Sequence, residues 1–252
     1  MDPVPSGKKP LRYRWLPYAV GMAILGGAVA LVLLYFHFSN REMEMTVQGM
    51  MDQIKSEQQD HLPVDPAQIE ARMQTLKNMA DQSNTPEASV MSAVASLSLE
   101  LVDKVKAAQA AEQDAREYNP ALITSRDDLA SQMESISTLR TKQADVLSFL
   151  QNFYEHIRTV LLGAGIGPND INDLITRTRQ GRDLSPFIAL QQSKVKLADD
   201  RLAQLHFLDQ NWGRWHAQNG QVLFTDQSAQ STFNNLTATL QADAAQGESP
   251  QK

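Results

Sequence analysis

The sequence contains no cysteine. That excludes disulfides, thiol catalysis and a lipid-modified cysteine anchor. An exported domain of this kind must then be held together by its apolar core alone. Glycine and proline are scarce, at 12 and 11 of 252 residues, and aromatics make up only 6%. With abundant Ala, Gln, Leu, Ser and Asp, this mix suits long helices better than sheets. Charge is also missing where it matters most: from Leu16 to Phe38 there is no Asp, Glu, Lys or Arg.

What charge there is lies unevenly. Residues 1–15 carry Lys8, Lys9, Arg12 and Arg14 against Asp2, a balance of +3. The rest of the chain carries 19 basic and 28 acidic side chains, a balance of −9 that accounts for the overall −6. A domain so acidic has no electrostatic footprint for nucleic acid; its charge serves solubility.

The uncharged stretch LPYAVGMAILGGAVALVLLYFHF reads as a transmembrane helix. Its 23 residues reach about 34 Å at 1.5 Å each, enough to cross a hydrocarbon core of about 30 Å. Trp15 and Tyr18 at one end and Tyr35 at the other suit the two membrane interfaces. Pro17 sits in the first turn, where a missing N–H does little harm. The basic flank places the N-terminus in the cytoplasm and the bulk of the chain across the membrane. In a Gram-negative cell this is an inner-membrane protein with a periplasmic domain. The alternative, a cleaved signal peptide, calls for an apolar core of about 7–15 residues and a small-residue cleavage site. Here the core is longer and ends Tyr-Phe-His-Phe-Ser-Asn. Ala19, Ala23 and Gly27, with Gly26 and Ala30, recur four apart and suit close packing of two such helices into a homodimer.

The expected architecture is all-α. A basic tail (1–15) and a transmembrane helix (16–38) precede an exported bundle of long antiparallel helices (39–246) and a disordered tail (247–252). Met43, Val47, Met50, Met51 and Ile54 form a helical stripe directly after the membrane. Asp65-Pro66 and Thr85-Pro86 are helix-start signals; the second helix runs to about Tyr118, before Asn119-Pro120. A long helix is predicted from Ser125 to about Leu162, with Asp127 and Asp128 in its first turn. Arg140 and Gln143 interrupt its apolar seam. Gly163 to Pro168 forms a corner, a short helix follows to Gln180, and Ser185-Pro186 opens another to about Trp212. Asn219-Gly220, flanked by Trp215 and Val222-Leu223-Phe224, suggests a tiny hairpin within 214–224. Thr225 or Asp226 then caps a last helix. The wide stripes suit a bundle better than a two-stranded coiled coil.

The segment Trp215-His216-Ala217-Gln218-Asn219-Gly220-Gln221-Val222-Leu223-Phe224, followed by Phe233-Asn234-Asn235-Leu236, resembles the C-terminal end of an uncharacterised family of envelope-anchored helical proteins of Gram-negative bacteria. In that family a Gly, an apolar residue and a Phe precede a helix bearing an aromatic-Asn-x-Leu element. The resemblance implies an envelope location and a helical fold, and no activity. Members are typically anchored through a lipidated cysteine, which this chain lacks.

No chemistry-bearing motif emerges. Gly163-Ala164-Gly165-Ile166-Gly167 follows a helix and meets a proline, so it reads as a corner rather than a phosphate loop. His37, His61, His156, His206 and His216 form no metal-ligand spacing. Asp127-Asp128 reads as helix-start chemistry and Asp199-Asp200 as a solvated face. No residue is assigned as catalytic, cofactor-binding or metal-ligating, and no cofactor is expected. Phe207, Trp212, Trp215, Phe224 and Phe233 read as a local core under the hairpin. Trp212, Trp215 and Phe224 are the candidates for a partner surface. The expected role is a non-enzymatic interaction or scaffold module working with the bilayer and an envelope protein; the alternative is a small-ligand sensor that signals through a partner.

Overall fold

A computed structural model describes residues 66–82, 85–115, 118–181 and 183–248. The membrane segment, its interface residues Trp15, Tyr18 and Tyr35, and the stripe from Met43 to Ile54 lie outside the described residues. No helix among the described residues is long and apolar enough to cross a membrane.

Among the described residues seven α-helices and one hairpin follow in order: α1 (Pro66–Asp81), α2 (Pro86–Asp114), a 3-10 turn (Pro120–Leu122), α3 (Arg126–Gln151), α4 (Phe153–Gly163), α5 (Pro168–Gly181), α6 (Ser185–Gln210), β1 (Trp215–Gln218), β2 (Gln221–Phe224) and α7 (Gln227–Glu248). Mostly helical architecture with a minute antiparallel hairpin is therefore established for these residues. They fall into two compact units.

The first unit comprises α1, α2 as far as Val102, and residues 155–182. Its buried set includes Met73, Leu76, Val90, Met91, Val94, Leu97, Leu101, Ile157, Leu161, Ile171 and Ile175. Met79, on α1, is 37% exposed. The glycine corner is a helix stop. Gly165 takes φ +83°, the Ile166 N–H donates to the Leu161 carbonyl and the Gly165 N–H to that of Leu162, and Ile166 is buried. This 6→1 and 5→2 pair satisfies carbonyls that the end of α4 leaves open.

The second unit comprises residues 103–154 and 183 onward. Here α3 packs on α6, and α6 on α7. Both pairs run antiparallel. Arg140 meets Asp199 while Gln143 meets Gln191, and Lys196 meets Asp243 while Gln204 meets Thr237. The core gathers Ala111, Leu129, Ile136, Leu139, Ala198, Leu205, Leu208, Val222 and Phe233. Full burial of each leucine-sized side chain is worth about 1.5–3 kcal/mol.

Three departures from the expected elements have local causes. The helix predicted from Ser125 to Leu162 is two helices. At Asn152 both the backbone N–H and the side-chain Nδ2 bond the Ser148 carbonyl, and α4 restarts at Phe153. Such side-chain competition with the backbone ladder needs no proline. Second, α2 stops at Asp114, and Tyr118 lies outside it so that its hydroxyl reaches α6. Third, α7 extends to Glu248, two residues into the stretch assigned to the tail. Asp199 is exposed as expected, in a 2.7 Å ion pair with Arg140. Asp200, in contrast, is half-buried between Lys196 and Asp243.

The hairpin pairs Trp215 with Phe224 and Ala217 with Val222 on one face. Asn219 (φ 52°) and Gly220 (φ 76°) both take positive φ, as a type I′ turn demands. A Cβ at Gly220 would meet nothing within 4 Å, so its substitution penalises backbone conformation alone. Gly220→Ala is expected to weaken the hairpin by about 1–2 kcal/mol. The check is loss of NMR cross-strand contacts between His216 and Leu223 while the helices stay folded.

Candidate functional site

The aromatic residues singled out in the sequence are built into the second unit's core rather than set apart from it. Phe224 sits 5.5 Å from both Phe207 and Phe233, ring to ring. Trp215 donates its indole N–H to the Leu208 carbonyl at 2.9 Å and meets Trp212 edge-on. The Arg126 guanidinium lies 5.9 Å from the Trp212 ring centre. All three candidates, Trp212, Trp215 and Phe224, are half-buried, and their contacts are those of a local core beneath the hairpin.

A site that sequence reasoning missed lies next to this core. Asn119 caps the 3-10 turn, its side chain accepting from the Ala121 N–H at 3.0 Å. Six residues after Asn119, Ser125 caps α3. The Ser125 hydroxyl accepts from the Asp128 N–H, and the Asp128 carboxylate accepts from the Ser125 N–H at 2.9 Å, a reciprocal capping box. These two caps turn the chain so that the first turns of α3 flank the last turn of α2. Between them lies a groove of about 340 Å³, lined by Asp114, Ala115, Tyr118, Leu122, Asp128, Ser131, Gln132, Ser135 and Ile136. Residues 128, 131, 132 and 135 share one helix face by their 3- and 4-residue spacing.

Behind the groove runs a polar relay. The Tyr118 hydroxyl donates to Gln204 Oε1, and Gln204 Nε2 donates to Thr237 Oγ1 at 2.6 Å. Burial pushes the Tyr118 hydroxyl well above the usual phenol range, so it stays a neutral donor. The Arg201 guanidinium covers the Tyr118 ring at 5.2 Å, and burial lowers its pKa.

In the groove the Thr124 hydroxyl, then the Ser125 cap, hold the Asp128 carboxyl below the usual carboxylate range. Stability from that capping bond is present above pH 3.8 and is lost as pH falls through the depressed folded value. Asp128→Asn should therefore destabilise the chain at pH 7, and the gap from wild type should narrow in acid melts as pH falls below 3.8 and through the depressed folded value. Ser125→Ala should cost about 1 kcal/mol at neutral pH.

Among the described residues no His, Lys, Arg or Cys lines the groove. His206 and His216 are exposed and lie elsewhere in the unit. No cluster of three metal-ligand side chains occurs among the described residues. The groove can accept hydrogen bonds and positive charge. Its lining escaped sequence reasoning because Ser131, Gln132 and Ser135 have the composition of a solvated helix face. The one available signal was Ser125-x-x-Asp128, which fixes how α3 begins.

The fold thus defines a helical protein of two units with an appended hairpin. No family model, no curated protein and no solved structure matches the chain.

Proposed function

We propose that this chain is a single-pass inner-membrane protein of a Gram-negative envelope, whose periplasmic helical region is a non-enzymatic interaction or scaffold module for another envelope protein. The observation that carries the reading is the uncharged run from Leu16 to Phe38 after four basic residues. The acidic balance beyond it and the C-terminal resemblance agree with an envelope location. The small residues of the span add a homodimer through the membrane helix.

The test has two arms. A periplasm-active reporter fused after Lys252 should be active, and a cytoplasm-active one silent. In vivo crosslinking of the full chain should then return one reproducible envelope protein. A cytoplasmic C-terminus or a mature chain beginning after Phe38 overturns the anchor, and an empty crosslink overturns the scaffold.

The groove between α2 and α3 favours a second reading, a small-ligand sensor that signals through a partner. Thermal shifts of the full chain against a metabolite library separate the two: a ligand-specific shift supports the sensor, and none supports the scaffold.

A further inference from the structure

We infer that the α2–α3 groove receives a basic side chain, the guanidinium or ammonium group of a partner protein. This rests on the scaffold reading and gives its partner a chemistry.

The polar lining is dominated by acceptors left without donors. Among the described residues the Asp114 carboxylate has no ion pair or hydrogen bond. Asp128 uses only Oδ2 in its cap, accepting from Thr124 and Ser125, which leaves Oδ1 open. Gln132 Oε1 is covered from solvent with no hydrogen-bond partner. Such an orphaned acceptor is destabilising unless something fills the need. Ser131 and Ser135, four apart on the groove face of α3, add two hydroxyls to the lining.

The sign of charge follows from the described lining, with two carboxylates and, among the described residues, no base. The apolar part fits the same occupant. Ala115, Ile136 and the Tyr118 ring form walls, and Leu122, 66% exposed, stands at the rim. A basic side chain carries a methylene stem for such walls and a donor-rich head for the acceptors. Arginine, with five donors in a planar fork, matches several scattered acceptors better than lysine.

The experiment titrates the full chain, in detergent micelles and labelled at isoleucine methyl groups, with N-acetyl-arginine amide, N-acetyl-lysine amide and neutral N-acetyl-norleucine amide. The Ile136 methyl should shift saturably with the arginine probe and less with lysine, while Ile171 in the other unit stays still. The shift should weaken with added salt. Asp114→Asn should weaken binding about three- to tenfold. Gln132→Leu should raise the melting temperature while weakening the probe, a split that a purely structural glutamine would not give. No shift at Ile136, an equal response to norleucine, or wild-type affinity in Asp114→Asn overturns the inference. Crosslinking separates it from the scaffold reading. A partner still captured undiminished by Asp114→Asn sinks the groove and leaves the scaffold standing. A chain that binds the arginine probe but captures no partner does the reverse.

Discussion

Leu205→Ala is expected to destabilise the second unit by about 2–5 kcal/mol. Leu205 is 0% exposed. It lies on α6, the helix that packs against both α3 and α7, so a cavity there opens toward two neighbours that cannot both close on it. The lost transfer free energy and the unfilled volume then add. Urea melts followed by tryptophan fluorescence report on this unit through Trp212 and Trp215. Leu205→Met, nearly volume-conserving, should cost less than about 1.5 kcal/mol. Leu162→Ala, on a side chain 47% exposed, should stay within about 0.5 kcal/mol. A Leu205→Ala chain melting with the wild type would mean that α6 is not the centre of its unit.

The second large effect concerns two buried amides. Gln191 Nε2 donates to the Gln143 carbonyl at 2.9 Å and to the Gln143 side-chain oxygen, and both residues are buried. Gln191→Met alone leaves Gln143 Oε1 without its donor, in a place water does not reach. The expected loss is about 1–3 kcal/mol. The Gln143→Met, Gln191→Met double variant removes the orphan as well and should return to within about 1 kcal/mol of wild type. A double-mutant cycle in urea thus shows strong coupling of compensating sign. Strictly additive losses would show that the two amides act independently.

These side chains mark where the sequence was legible and where it was not. Helix starts were readable because capping is local chemistry. Pro66, Pro86 and Ser185 begin α1, α2 and α6, and Ser125 caps α3 with Asp128. Asn219-Gly220 gave the hairpin for the same reason, since few residues tolerate two successive positive φ values. Gln143 was visible only as an interruption of an apolar seam, because its partner lies 48 residues away and no periodicity announces it. The break at Asn152 was hidden because apolar stripes continue through it without glycine or proline. The groove was hidden because serines and a glutamine look, one residue at a time, like any wetted face. The division into two units was also illegible, since α2 crosses from one to the other as a continuous helix.

That division has a consequence for biosynthesis. Residues 103–154 interrupt the first unit, and residues 155–182 interrupt the second. A ribosome releases α1 and α2 long before α5, and α3 long before α6. Arg140 must wait 59 residues for Asp199, about 3–12 s at 5–20 residues per second. During that delay the greasy side of α3 has no native cover. Neither half can finish folding until most of the chain has been made.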